Sequence, residues 1–319
     1  MFDFYFAGMR FNTTTGSEEQ IKINKFMLEK KVNCLLSYIN DKKSIKECFE
    51  SDFKGKLFID SGAYSAWTKG KTINVDEYID FLNNNDDRIH IFAQVDVIPG
   101  IKYQLPTREQ VEDAASRTWN NYLYMREKLK SPDKCLYTFH VGEPIKYLKQ
   151  ALEWKDSNGK RIPYIALGGM VGRSTAVRDN FINMVVDTIS KSSNPNVKIH
   201  AFGMTSRKLL YKYPNITSAD STKWIKYAAN GLIQSEFMDS GIRIGCGSLH
   251  MREHITHLPQ QEKDRIDAIL KKRGLTIEEM IYSNSNRLLY NVQYCIDLAA
   301  QIDKHRKNNA SDVKRRALF

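Results

Sequence analysis

No stretch of this chain approaches the roughly 18 consecutive apolar residues that a membrane-spanning helix needs, so nothing here reads as a span. Cysteine is scarce: Cys34, Cys48, Cys135, Cys246 and Cys295 are scattered with no paired spacing. That pattern excludes a disulfide framework and reads as reduced thiols in a cytosolic compartment. No internal repeat and no low-complexity segment is visible. The opening Met1-Phe-Asp-Phe-Tyr-Phe6 is apolar but too short and too acidic for a signal peptide. Acidic residues are in deficit: 37 Asp and Glu face 48 Lys and Arg, a net charge of +11. Such a balance favours a polyanionic partner, nucleic acid first and an anionic membrane surface second.

What is present is a profile of 42% hydrophobic and 27% charged residues over 319 positions, that of a folded enzyme rather than a disordered chain. Eight short apolar runs read as buried strands: Phe2–Ala7, Val32–Ile39, Lys56–Ile59, His90–Val97, Cys135–Val141, Tyr164–Leu167, Lys198–Phe202 and Ile216–Ala219. Helical segments lie between them. Ser17 with Gln20 and Thr107 with Gln110 are capping-box pairs, and Pro144 suits a first helical position. Residues 180–190 and 205–213 continue the series. Eight strands alternating with helices predict an α/β fold, a (β/α)8 TIM-type barrel, with a doubly wound open sheet as the alternative. Residues 1–230 are expected to form the barrel. Residues 231–319 are expected to add a hairpin (232–237 with 242–246, around Asp239-Ser-Gly241), a helix over 259–272, and a long helix from Thr276 to about Lys304. The basic tail, from Lys304-His-Arg-Lys307 through Lys314-Arg-Arg316, is expected to fray.

Two carboxylates stand at strand ends. Asp60 opens Asp60-Ser-Gly-Ala-Tyr-Ser65, and Asp220 lies in Ile216-Thr-Ser-Ala-Asp-Ser-Thr222. In a barrel of this kind the C-terminal ends of the strands carry the chemistry. Two acids facing one pocket suit a nucleophile and a general base. Each also has a plainer reading: Asp60 as a turn residue, Asp220 as a cap for a helix over 222–229. Cys246, His250, His254 and His257 are candidate zinc ligands, since 246, 250 and 254 step by four along one helical face. The plainer reading is solvated histidines on a basic surface.

Together these motifs resemble the tRNA-guanine transglycosylase superfamily over roughly residues 56 to 225. Asp60-Ser-Gly-Ala-Tyr-Ser65 is similar to its Asp-Ser-Gly-Gly-Phe-Gln segment. Val95-Asp96 with Pro99 resembles its next strand-end aspartate, and Tyr164-Ile-Ala-Leu-Gly-Gly-Met-Val-Gly172 its glycine loop. His200-Ala-Phe-Gly-Met204 corresponds to its short glycine strand, and Ser218-Ala-Asp-Ser-Thr222 falls where the family has its nucleophile. The family's Pro-Thr-Arg-x-Ala-Arg run is absent, as is its zinc signature. Those departures fit the phage and bacterial branch that exchanges guanine in DNA for a 7-deazaguanine such as preQ0.

The resemblance implies roles residue by residue. Asp220 is the expected nucleophile and Asp60 the general acid/base. Asp96 is expected to accept hydrogen bonds from the base edge, Ser61 and Gly62 to contact substrate, Gly168 and Gly169 to allow close backbone approach so that their amides reach the base carbonyl, and Tyr64 and Met170 to sandwich the ring. His140, beside Glu143 at the fifth strand end, is a further base-edge candidate. From their positions just after strand ends, rather than from the resemblance, Arg173, Arg207, Lys208 and Lys223 are expected to hold phosphates, and Trp224, close after Asp220, to stack on a neighbouring base. No cofactor is required for such chemistry; a structural zinc stays open, the usual ligand motif being absent. The expected partners are DNA, with tRNA as the alternative, and a free 7-deazaguanine base, in a bacterial or phage-infected host cytosol. The rival readings are a tRNA-guanine transglycosylase, a nucleic-acid-binding barrel without turnover, and a barrel hydrolase of free nucleosides.

Overall fold

The computed structural model describes residues 1–238 and 240–316, with side chains through residue 309. Eight strands close into a parallel barrel in sequence order: β1 (Asp3–Ala7), β2 (Asn33–Ser37), β3 (Leu57–Asp60), β4 (Ile91–Ala93), β5 (Cys135–His140), β6 (Tyr164–Gly168), β7 (Lys198–Ala201) and β8 (Ile216–Ser221). Helices lie between them: α1 (Glu18–Glu29), α2 (Lys42–Glu50), α3 (Ala63–Thr68), α4 (Val75–Asn84), α5 (Arg108–Lys128), α6 (Ile145–Glu153), α7 (Thr175–Ser190) and α8 (Arg207–Lys212). This is the (β/α)8 TIM-type fold, and all eight expected strands are present. Most strand positions are buried on both faces, which is why β1, β3, β4, β5 and β6 read as near-continuous apolar runs rather than alternations.

The chain divides into two compact units: residues 1–9 with residues 33–220, and residues 10–32 with the chain from Ser221 onward. The boundary expected at residue 230 thus falls at Asp220, and α1 goes with the C-terminal part. In the first unit the barrel interior is filled by Tyr5, Ala7, Leu35, Phe58, Ile91, Ala93, Leu136, Tyr164 and Ala166. A fully buried Phe such as Phe58 contributes about 1.5–3 kcal/mol by leaving water. Side chains alternate along a strand, so the inward face runs on from Phe58 to Asp60, from Leu136 to His140 and from Ser218 to Asp220. The packed core therefore hands over to acids and a histidine at the strand ends.

Strand β4 is shorter than expected because its backbone is taken over by α5. The Val95 amide donates to Met125 Sδ (3.4 Å) and the Val97 amide to Thr118 Oγ1 (2.8 Å), while Asn121 donates to the Val95 carbonyl (2.9 Å). The Thr107–Gln110 capping box forms as expected. At Ser17 only half of one forms, because the Gln20 side chain turns to Asn24. Pro144 precedes α6 in extended conformation instead of occupying its first turn.

In the second unit α9 (Lys223–Ala229) leads to a two-stranded antiparallel pair, β9 (Leu232–Ile233) and β10 (Ile242–Arg243). The hairpin is shorter than expected because the next residues turn to a later helix: the Gln234 amide donates to Asn291 Oδ1 and Tyr294 Oη to the Ser235 carbonyl. Asp239, expected at its tip, lies outside the described residues. Helix α10 (Gln260–Lys271) follows. The Thr276–Glu279 capping box is present but opens only α11 (Ile277–Tyr282), after which α12 (Asn284–Arg316) begins. The break has a local cause: Ser283 is extended and its hydroxyl accepts the Asn286 amide, capping the next helix. Lys304–Lys307 lie inside α12 rather than in a frayed tail; the side chains of Lys314, Arg315 and Arg316 are outside the described residues. No helix among the described residues is long and apolar enough to cross a membrane.

Candidate active site

Asp60 ends β3, paired in register with Ser37 of β2. Its Oδ2 accepts the Gly62 amide at 3.2 Å. Gly62 sits at φ +81°, and a Cβ there would lie 2.6 Å from Ser37 Oγ, so only glycine fits this turn. Burial pushes the Asp60 carboxyl up to about 7, with the charges of Asp96 and Asp220 adding to the effect. Three strand-end acids therefore feel one another. The turn itself is structural at Ser61, which is fully buried and accepts the Ala63 amide. That corrects the expectation that Ser61 meets substrate. Tyr64 is 66% exposed, its ring 5.8 Å from Trp67, and Trp67 Nε1 donates to the Gly100 carbonyl.

Asp96 stands in the segment that α5 pulls out of the β4 ladder. Its Oδ2 lies 3.0 Å from His140 Nε2. Glu143 grips His140 twice: Oε1 is 2.9 Å from Nδ1, and Oε2 accepts the His140 amide at 3.0 Å. Burial alone would lower His140, but Glu143 and Asp96 outweigh it and push the imidazole up to about 10. The site thus holds an imidazolium between two carboxylates. Gly168 makes this possible. A Cβ there would lie 2.3 Å from His140 Cδ2, so this glycine leaves room for the imidazole, a different use from the expected close approach to a ligand. Gly169 is exposed at φ +72°.

Asp220 belongs to β8 itself and does not cap α9, whose N-cap is Thr222. Its Oδ1 accepts the Gly203 amide at 2.9 Å and lies 3.3 Å from His200 Nε2. Its Oδ2 accepts no hydrogen bond from the described residues. One oxygen is anchored and the other is free, with 10% of the side chain exposed. His200, which the sequence motif quoted only as part of a glycine strand, is the functional residue the sequence reading missed. The signal was present: His200 alternates with Ile199 and Ala201 and so shares the inward face of β7 with Phe202.

Met170 is only 2% exposed and is packed away from any ring it was expected to sandwich. Trp224 is likewise 2% exposed, and its carbonyl accepts Asn291 Nδ2, so its indole offers no stacking face. Arg173, after β6, and Lys208, in the first turn of α8, are exposed. Arg207 is half-buried with its guanidinium 5.1 Å from the Tyr211 ring, and Lys223 is half-buried with its ammonium 5.3 Å from the Tyr227 ring. Exposed apolar side chains follow several of the barrel strands: Tyr64 in α3 after β3, Ile101, Tyr103 and Leu105 after β4, and Val171 after β6.

The proposed helical face of Cys246, His250 and His254 does not form. Only short 3-10 turns occur there, at Cys246–Ser248 and Ile255–His257. His254 is fully buried and bonded to Thr256, so it is not a solvated histidine either, and His257 bonds to the Leu249 carbonyl. Among the described residues no three His, Cys, Asp or Glu gather to hold a metal, and these four do not fit a zinc site. A cavity of about 840 Å³ in the second unit is lined by Ile21, Phe26, Leu275, Leu289 and Tyr290 and contains none of the strand-end acids.

No protein-family model matches this chain, and a search of curated proteins finds no relative. The chemistry is therefore read from geometry. An acid poised near neutrality, a second carboxylate with one free oxygen, and a carboxylate–imidazole pair beside them suit acid–base work coupled to nucleophilic displacement.

Proposed function

We propose that this chain is a guanine transglycosylase that exchanges guanine in a polynucleotide for a 7-deazaguanine base, with DNA favoured over tRNA. The observation that carries the reading is the convergence of Asp60 at the end of β3, Asp96 in the segment after β4 and Asp220 near the end of β8 of one barrel, with Asp60 held at about 7. Asp220 Oδ2 attacks C1′ as the C1′–N9 bond breaks; the bonding pair leaves with guanine, which takes a proton from Asp60. The incoming base then returns a proton to Asp60, its nitrogen attacks C1′, and Asp220 is released. Base replaces base, and no water or redox partner enters. A general acid/base works best with a pKa near the operating pH, and Asp60 meets that requirement.

Asp96 offers acceptor oxygens to the N–H edge of a guanine-like base, and the His140 imidazolium offsets its charge. The net charge of +11, with exposed Arg173 and Lys208, supports a polyanionic strand at the mouth. The exposed Tyr64 and Tyr103 offer faces to an unstacked nucleotide.

The test is release of labelled guanine from duplex DNA and from tRNA, in parallel, with preQ0 supplied and Asp220→Ala as control. Release from DNA alone, lost in the variant, is expected. Release from tRNA alone would keep the chemistry and overturn the substrate. Release from neither, with salt-dependent DNA binding intact in Asp220→Ala, would move the chain to the non-catalytic reading.

A further inference from the structure

His200 is fully buried inside the barrel, its ring met by Phe58 and Phe202 at 4.7 Å and by Tyr5 at 6.1 Å. Walled off by aromatics, both its ring nitrogens need protein partners. Nδ1 lies 2.6 Å from Ser218 Oγ, and Nε2 faces Asp220 Oδ1. Ser218 Oγ is in turn 2.5 Å from Tyr164 Oη, and Thr217 Oγ1 lies 3.2 Å from that same oxygen. We infer that Thr217, Tyr164, Ser218 and His200 form a proton-ordered chain that positions Asp220, fixing Oδ1 and leaving Oδ2 to attack. This rests on the reading of Asp220 as nucleophile.

The order of protons follows from counting donors. A carboxylate only accepts, so the nitrogen facing it carries the hydrogen and His200 is the Nε2–H tautomer. Nδ1 then accepts, so the Ser218 hydroxyl donates to it. Ser218 has one proton, so its oxygen accepts from Tyr164, whose oxygen accepts from Thr217. Reversed, the chain would point a lone pair at Asp220, which only a protonated Asp220 could meet. Thr217 would then donate to the Ile199 carbonyl, also 3.2 Å away. The chain thus has two polarities, and the charge on Asp220 selects between them. Conversely, the forward polarity favours ionised Asp220, the form that attacks C1′. The Gly203 amide adds a second donor to the same oxygen.

The other titratable groups facing this pair are Tyr5 on β1, Asp60 on β3 and Tyr164 on β6. Burial keeps both tyrosines protonated.

His200 touches no substrate and acts through Asp220 as a positioning residue. His200→Phe keeps the aromatic packing and removes both nitrogens. His200→Gln restores a donor near the position of Nε2. For exchange, kcat is expected to fall about 10- to 100-fold in the phenylalanine variant, the loss of one charge-assisted hydrogen bond, with KM for DNA unchanged. The acid limb of its pH profile should move up by about one unit, with partial recovery in His200→Gln and a smaller loss in Tyr164→Phe. A rise in KM with kcat and the acid limb unmoved would overturn the inference. A readout free of activity accompanies these: the ¹⁵N shifts of the His200 ring at pH 7. A protonated Nε2 with bare Nδ1 supports the chain, and the opposite tautomer or an imidazolium overturns it. If the wild type exchanges no base, the reaction assigned above fails while the nitrogen shifts still judge the chain.

Discussion

Asp60→Asn should cost activity and increase stability, and the size of the gain should depend on pH. The carboxyl is raised from 3.8 to about 7 by burial and by the charges of Asp96 and Asp220. A raised carboxyl binds its proton more tightly in the folded state than in the unfolded state. The folded protein therefore holds the extra proton between about pH 4 and 7, and stability from this group is lost as pH rises through that window. At about 1.4 kcal/mol per unit, full ionisation in place costs on the order of 4 kcal/mol. Asparagine keeps the shape and an oxygen for the Gly62 amide but never ionises. Unfolding free energies of wild type and variant from urea titrations at pH 5 and pH 8 should diverge by about 2–3 kcal/mol in favour of the variant at the higher pH. Exchange should fall by about 100-fold or more, the usual worth of a general acid/base. Stability curves that stay parallel from pH 5 to 8 would refute the claim that Asp60 is held near neutrality by its surroundings.

His140 should remain protonated through pH 8 and titrate near 10 in the wild type, while in Glu143→Gln it should titrate well below that; imidazole NMR shifts read both. Because its folded pKa lies above the usual 6.5, the stability it contributes is complete below about pH 6.5 and lost as pH rises through about 10. Gly168→Ala puts a methyl group 2.3 Å from His140 Cδ2 and should cost about 1–3 kcal/mol of stability, with exchange lost through the displaced imidazole; a variant with unchanged melting and exchange would show that this contact relaxes freely. Arg173→Ala with Lys208→Ala should weaken DNA binding about equally for all sequences and reduce the slope of log affinity against log salt by about 2. An unchanged slope would place the strand elsewhere.

The barrel was legible because its strands are buried on both faces, so eight apolar runs stood out against helical spacing. The strand-end acids were legible because Asp60 and Asp220 interrupt or follow such runs. Helices α2, α3 and α4 were not read out individually, although Asn74 with Glu77 marks the start of α4 as clearly as Thr107 with Gln110 marks α5. Spacing alone misleads at two places. Steps of four from Cys246 suggest one helical face, but glycines 245 and 247 flank the first ligand and the backbone makes only short turns. The stacking role expected of Trp224 from its place close after Asp220 fails because its position in α9 is buried, which spacing in a seven-residue helix does not reveal. The role of His200 is not legible in its own motif because its hydrogen-bond partners, Ser218 and Asp220, lie on the neighbouring strand. Only the register of β7 against β8 joins them.

The most direct measurement is the intact mass of the chain quenched during reaction with a guanine-containing DNA oligonucleotide, followed by peptide mapping. The account predicts a covalent adduct equal to the oligonucleotide less one guanine, carried on the peptide with Asp220 and missing from Asp220→Asn. Guanine exchange without any adduct, or an adduct that persists on another residue when Asp220 is replaced, would contradict it.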